Sequence, residues 1–304
     1  MVQVKVPRKV LALLTHWWYL VSAMAKNSQI EWTHHTFNPW WGCRKVSAAC
    51  DNCYAESWAK RTGQELWGAR APRRFFGEVH WTEPIKWNRD ARIAGKRERV
   101  FCASMADVFE RRSILNVERS RLWKLIEDTP NLDWLLLTKR PQHVSTMTPW
   151  HDDWPRNVWI GTSIENQRIA EQRLPFLLKI NAAVRFLSCE PLLGALDLRT
   201  WFHRRGYRPI DWVIAGGESG PNSRPMHPDW ATGLLRQCQD AGVPFHFKQW
   251  GHWAPAELFG SPAKSLLLSL SKERPIQMVR VGKKIAGRVL AGSTWDSLPT
   301  SRLI

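Results

Sequence analysis

Cysteine is scarce in this chain, with six in 304 residues. That excludes the disulfide-stapled scaffold on which small secreted domains rely. Acid is scarce beside base: 27 Asp and Glu stand against 44 Lys and Arg, which leaves a formal net charge of +17. An excess of that size suits a polyanionic partner, through Coulombic attraction and counterion release. A long apolar run is missing too. The nearest approach is "MVQVKVPRKVLALLTHWWYLVSAMA", with a basic start, an apolar stretch broken by His16, and small residues near its end. It resembles a signal peptide but is short for a membrane span. Met24 opens "MAKNSQIEW", a natural start, so residues 1–23 are expected to be a non-native or mis-called extension outside the fold. The protein is then expected in the cytoplasm with no membrane partner. The basic excess does not depend on that segment, whose charges are Lys5, Arg8 and Lys9.

What remains is a hydrophobic fraction of 44% and a charged fraction of 23%, as in a soluble globular protein. The length admits a large α/β domain. The densest basic stretch is "KWNRDARIAGKRER", 86–99, and Lys96, Arg97 and Arg99 are expected to contact a nucleic acid. Twenty tryptophans exceed what core packing normally uses, so some are expected to be stacking platforms for bases. Cys102, Cys189 and Cys238 each sit alone in apolar surroundings and read as buried small hydrophobes.

Beyond residue 98 a rhythm appears. Short β-prone runs fall at 100–103, 134–138, 158–162, 185–189, 212–215 and 245–248, with starts 24 to 34 residues apart. That is the length of a βα unit. Helical patterns lie between them. In "NVERSRLWKLIEDT", Val117, Leu122, Leu125 and Ile126 are expected on one buried face, and "HPDWATGLLRQCQDAG" has proline near its first turn and stops at Gly242. With an earlier strand near 30–36, the pattern predicts an α/β fold: a whole or partial (β/α) TIM-like barrel of parallel strands over 24–250. An open doubly wound sheet is the second architecture. Residues 251–304 lose the rhythm and read as a C-terminal appendage that packs on the barrel or contacts the partner.

Polar groups follow nearly every run: Ser104 and Asp107; Lys139 and Arg140; Ser163 and Glu165; Glu190; Gly216, Gly217 and Glu218; Lys248 and Gln249. In a parallel barrel they gather on the one face that carries chemistry. The glycines would let backbone approach a ligand closely. A loop after the first strand, "GCRKVSAACDNCYAE", holds Cys43, Cys50 and Cys53 at spacing C-x6-C-x2-C. Three chemistries fit. A zinc site would take a fourth ligand from His34 or His35, although only one C-x2-C knuckle is present. A redox pair would not need Cys43. A [4Fe–4S] cluster on three thiolates leaves one iron open to a small molecule, which turns the missing ligand into the functional feature.

A cysteine triplet in the loop after the first barrel strand resembles the radical S-adenosylmethionine superfamily. The resemblance implies that the open iron chelates S-adenosylmethionine, whose reductive cleavage generates a radical that abstracts a substrate hydrogen. A closer resemblance, over about 24–299, is to a phage- and bacterium-encoded family of unassigned function. Its marks are "IEWTHHTFNPWWGC", "CDNCYAE", "SMADVFE", "LLTKRPQ", "GTSIENQ", "FLSCEPLLG", "GGESGPNSRPMHPDW", "FKQWG" and "VGKKIAGR". More distantly, "CDNCYA", the Asp107 segment and "LTK" resemble the spore photoproduct lyases, which repair a DNA lesion. Two departures stand out. The first cysteine gap is six residues where the superfamily has three, and Asn52 precedes Cys53 where an aromatic is usual, with Tyr54 as the substitute. No glycine-glycine-glutamate follows the second strand, so Asp107 is expected to hold the methionine ammonium. With it, Ser104, Tyr54, Ser163, Glu165, Gly216, Gly217 and Glu218 would bind S-adenosylmethionine. Lys139, Glu190 and Lys248 would be catalytic, and Arg140, Arg224 and Gln249 would meet the substrate. The expected partners are DNA or RNA, an external electron donor and a partner protein. The alternative is a non-catalytic nucleic-acid-binding protein with a structural cluster or zinc.

Overall fold

The computed structural model describes residues 24–26, 28, 30–259, 268–269 and 275–299, and the expected non-native or mis-called extension, 1–23, lies outside them. Its strands, in chain order, are β1 Met24–Lys26, β2 His35–Phe37, β3 Trp40–Trp41, β4 Arg74–Phe75 and β5 Glu98–Cys102. They continue with β6 Leu132–Thr138, β7 Val158–Ser163, β8 Val184–Cys189, β9 Trp212–Gly216 and β10 Phe245–Gln249. Seven of them, in the order β2-β5-β6-β7-β8-β9-β10, pair in parallel and curl into a half-barrel. Strand order follows chain order with no reversal, so the partial barrel is formed and the doubly wound sheet is not. Both edges are partly covered. β1 pairs antiparallel with β2, and at the far edge Phe247 N donates to Trp295 O at 2.8 Å beside an antiparallel bridge between His246 and Asp296. Exposed edge donors and acceptors invite association, and these pairings occupy part of both edges of the parallel sheet.

The two-residue period of the strands sorts the side chains into two cores. Phe101, Leu135, Trp159, Phe186, Trp212 and Ile214 point into the half-barrel with Trp32. Their neighbours Val100, Trp134, Leu136, Ile160, Leu187 and Val213 face the outer layer. Gly161 takes an inward position, and the space is filled by Phe186, whose ring would lie 2.4 Å from a Cβ there. The outer layer contains α1 Tyr54–Arg61, α2 Glu78–Ile93, α3 Asn116–Glu127, α4 Gln167–Leu177 and α5 Pro228–Asp240. A small antiparallel sheet, β11 Trp253–Pro255, β12 Leu268–Ser269 and β13 Gln277–Arg280, follows the barrel. From there the chain returns to the barrel, where Val289 O accepts from Trp250 Nε1 and Ser297 O from Trp212 Nε1.

Two expectations are corrected, and the basic run is placed. Val117 is 76% exposed, because it lies five residues, about 140° of helix, from Leu122 and off the buried stripe. The strand expected near 30–36 begins only at His35, since Thr33 N bonds back to Ile30 O and makes a turn. The basic run 86–99 closes α2 and opens β5, at the amino ends of the strands. There Arg97 pairs with Asp133 at 2.7 Å and donates to Pro130 O, while Arg99 donates to Trp32 O at 2.8 Å. These arginines tie loops at the far end of the barrel from the cysteine loop. Among the described residues, no helix is long and apolar enough to cross a membrane.

Reversal of Arg97 to Glu is therefore a stability change. It leaves the buried Asp133 without its cation, at about 1–2 kcal/mol given that Arg97 is half exposed. Thermal denaturation should show Tm lower by a few degrees, while any affinity for nucleic acid, measured by anisotropy, stays at the wild-type value.

Candidate active site

The parity that fills the half-barrel with aromatic rings continues to the carboxyl ends of its strands and just past them. Two to four residues further along the same faces stand Lys139, Ser163, Ser188 and Glu190, joined by Lys248 from β10. All five line one cavity of about 520 Å³. Ile30, Trp32, Phe101 and Leu137 give it an apolar floor. Cys43, Cys50 and Cys53, each partly buried, contribute to its wall.

The loop that carries them, between β3 and α1, is held by backbone and by charge. Gly42 N donates to Met105 O at 3.0 Å, and Gly68 N to Cys43 O at 2.9 Å. Gly42 has φ +107° and sits where a Cβ would lie 2.5 Å from Leu66 O, so only glycine fits. Three buried carboxylates at strand ends then act on the loop. Asp107 accepts four hydrogen bonds, from Phe109 N (3.0 Å), Thr138 Oγ1 (2.7 Å), Lys139 N (3.0 Å) and Arg140 Nη1 (2.7 Å). Arg140, so fixed, donates to Arg44 O at 2.7 Å and stands 3.8 Å from Cys43 Sγ. Glu165 accepts from Ala49 N at 3.3 Å while paired with Arg173. Glu218 accepts from Asn52 Nδ2 at 2.9 Å and from three nitrogens of Arg224, which itself donates to Ala48 O at 2.8 Å.

Asp107 is therefore not available to an ammonium group. Its four acceptor positions are filled, and it orders the Lys139–Arg140 turn. Arg140, expected to meet the substrate, lines the cavity but is buried, with its guanidinium spent on Asp107 and the cysteine loop. Glu165, Gly216 and Arg224 do not line the cavity; Glu218 lines it but spends its carboxylate on the loop. Gln249 bonds Gly217 O, Ser219 and Gly251 N. The closeness that Gly217 permits is to protein backbone, since a Cβ there would lie 1.9 Å from Trp250 O.

The remaining expected residues line the cavity. Tyr54 donates its hydroxyl to Ser104 O at 2.8 Å and, as a residue, is 56% exposed on the cavity wall. Ser104 lines the same wall. Lys139 donates to Ser163 Oγ at 3.2 Å, and Lys248 pairs with Glu190 at 2.8 Å. Sequence reasoning missed Ser188 and Lys283, which also line the cavity. Strand parity would have found Ser188, two residues beyond Phe186, whereas nothing local marks Lys283. None of the described tryptophans is fully exposed; Trp67, partly buried, lines the cavity, and Tyr54 is the more accessible of the two.

Burial pushes the Cys43 thiol up to about 12, with Asp107 adding to the rise and Arg140 opposing it. Cys53, which precedes the first turn of α1, is also raised by burial, partly offset by the Glu56 and Ala55 amides and by Lys139. Metal binding to such thiols must displace their protons. Among the described residues, no three His, Cys, Asp or Glu side chains gather as a single metal ion would require. A cuboidal cluster makes a different demand, because each thiolate binds its own iron and the sulfurs stand apart. The fourth zinc ligand is not supplied by either histidine. His34 accepts from Arg99 N and His35 bonds Glu98, both at the amino ends of the strands.

The chain belongs to the family described as "Protein of unknown function (DUF5131)", whose model matches residues 27–299. No curated protein matches it significantly. Among solved structures, it is similar to a double-mutant spore photoproduct lyase with bound AdoMet and dinucleoside spore photoproduct, at TM-score 0.44 and 12% identity. That match covers 82% of this chain and 68% of the other. A spore photoproduct lyase complexed with dinucleoside spore photoproduct gives TM-score 0.41 and 13% identity over 82% and 68% of the two chains. At this level of likeness the chemistry rests on the chain's own residues.

Asp107→Asn tests the bracing role. Burial raises the Asp107 carboxyl, but the Arg140 charge and the donors from Lys139, Thr138 and Phe109 outweigh it and hold the group below its usual 3.8. A depressed carboxyl contributes stability that is present above the unfolded value and lost as pH falls through the folded one. The variant should be less stable at neutral pH by about 3 kcal/mol. Its Tm should converge on that of the wild type as pH falls below 3.8. Equal Tm values at pH 7 would mean that the carboxylate braces nothing.

Proposed function

We propose that this chain is a radical S-adenosylmethionine enzyme, with a [4Fe–4S] cluster on Cys43, Cys50 and Cys53, that acts on a nucleic acid or nucleotide. The observation that carries the reading is the presence of three thiols, unaccompanied by a fourth, on one wall of a cavity also lined by Lys139, Ser163, Glu190 and Lys248. Thiolates are the donors that iron–sulfur clusters take, and three of them leave one iron free for a small ligand. At about 520 Å³ the cavity falls within the usual range for a bound cofactor. Bound there, the group supplies one-electron reduction and hydrogen-atom abstraction, which side chains do not provide.

The chain's own residues bind and orient. Tyr54 offers a flat face for a base, with its hydroxyl fixed on Ser104 O. Lys139 has no carboxylate partner among the described residues and offers its ammonium group to a carboxylate, beside the hydroxyl of Ser163. The half-buried Lys248–Glu190 pair faces the cavity and can exchange partners with a polar substrate. The aromatic floor limits water and strengthens these charges. Residues 24–250 form the catalytic unit, and 251–304 the appendage whose Lys283 reaches the rim. A basic chain of this kind draws an anionic substrate, takes its electrons from an external donor and leaves room for a partner protein.

The test is anaerobic reconstitution with iron and sulfide, followed by dithionite and S-adenosylmethionine. The expected outcome is a brown protein that releases 5′-deoxyadenosine, and a Cys50→Ala variant that holds little iron. Colourless protein with stoichiometric zinc would overturn the cluster. A cluster without 5′-deoxyadenosine would leave a non-catalytic nucleic-acid-binding protein.

A further inference from the structure

The two loops that carry Asp107 and Arg140 do not end at the cavity. Their continuations, 111–116 and 142–147, together line a second recess of about 610 Å³. Arg111, Arg112, Ser113, Gln142, His143 and Thr146 line it, and no carboxylate does. The acids nearest along the first loop are already spent, Asp107 on Arg140 and Glu110 on Arg73. Arg111 is exposed, with no hydrogen-bond or ion-pair partner among the described residues. Arg112 commits one N–H to Ala71 O at 2.6 Å and keeps the rest of its fork. Two guanidinium groups over hydroxyls and an amide, with no competing acid, suit the oxygens of a phosphate.

We propose that this recess holds a backbone phosphate of a nucleic-acid strand whose neighbouring nucleotide occupies the cavity. The inference rests on the nucleic-acid reading above and narrows it to a strand, as opposed to a free nucleotide. Spacing supports the assignment. Two residues, Pro141 and Gln142, separate Arg140 on the cavity wall from His143 on the recess, so the backbone joining these two lining positions spans about 10 Å or less. Stacked nucleotides advance about 3.4 Å each along a strand, so the recess is reached within a few nucleotides. Asp107 fixes the distance, because its carboxylate bonds both loops at once, through Phe109 N on one and Thr138, Lys139 and Arg140 on the other. Phosphate contacts of this kind set register without reading sequence.

The experiment uses the full reconstituted chain and a labelled single-stranded ten-nucleotide probe of mixed sequence, with anisotropy read across a salt series and Tm measured on each variant. Arg111→Glu should weaken binding about tenfold or more and lower the salt slope by about 0.7, the share of one phosphate. Ser113→Glu adds a negative charge to the recess without removing a bond and should act in the same direction. Arg92→Glu, at the end of α2 and outside both sites, makes the same charge change as Arg111→Glu and should have no such effect. Inorganic phosphate and a mononucleotide should compete far less well than an unlabelled ten-mer. Equal binding by wild type, Arg111→Glu and Ser113→Glu removes the recess alone. An equal loss in Arg92→Glu marks a net-charge effect and also removes it. Competition by phosphate or mononucleotide as strong as by the ten-mer marks a small-anion site and overturns the strand. A wild-type chain that binds no ten-mer at low salt removes the nucleic-acid reading together with the recess.

Discussion

The Asp107 carboxylate, buried where β5 gives way to its loop, is the interaction on which the mouth of the half-barrel depends. Ionised groups are costly to bury, and this one persists because four donors and the Arg140 charge satisfy it. Its effects travel along covalent and hydrogen-bonded connections. Arg140 holds the start of the cysteine loop through Arg44 O, and Lys139 is presented to the cavity by a backbone N–H that the same carboxylate accepts. Glu165 and Glu218 repeat the arrangement further along the loop, each a buried acid paired with an arginine and bonded to the loop's backbone or side chains. Three ion pairs thus do for the cysteine loop what a regular strand or helix would do through its own ladder.

This arrangement divides the polar residues of the mouth into two groups. Those whose hydrogen-bonding capacity is spent within the protein position the loop. Those with capacity left, Tyr54, Lys139, Ser163, Glu190 and Lys248, face the cavity and are free to meet a ligand. Burial follows the same division for most of them, since Asp107, Glu165 and Glu218 are all almost inaccessible while Tyr54 is open and the two lysines are half-buried; Ser163 is the exception, buried at the cavity wall under Lys139. A loop braced in this way is ordered before anything meets its three partly buried thiols, so that contact costs less conformational freedom.

Charge is distributed with the same economy. The excess of base is not one continuous surface. Part of it, Arg97 and Arg99, ties loops at the amino ends of the strands, and part, Arg73, Arg119 and Arg140, is buried under acids and carbonyl oxygens near the mouth. What remains for an outside anion on the cysteine side includes Arg111, Arg112 and Lys283. Net charge speaks for attraction to a polyanion, and position decides which arginines can act on it.

How much of this was legible beforehand follows from the range of each interaction. The parallel half-barrel was visible in the spacing of the β-prone runs, because strand and helix periods are local properties written into a few consecutive residues. The cysteine loop was visible for the same reason, as three thiols within eleven positions of "CRKVSAACDNC". The inward or outward facing of each strand-end residue was also within reach, from the alternation that places Phe186 and Ser188 on one side and Leu187 and Cys189 on the other. The partnerships were not. Asp107 with Arg140, Glu218 with Asn52 and Glu165 with Ala49 join residues 33, 166 and 116 positions apart. By itself the sequence determined the architecture and the identity of the thiols, through local periodicity and close spacing. Only the tertiary structure decided which acids brace and which cations stay free, because a buried charge is defined by the partner that folding brings to it.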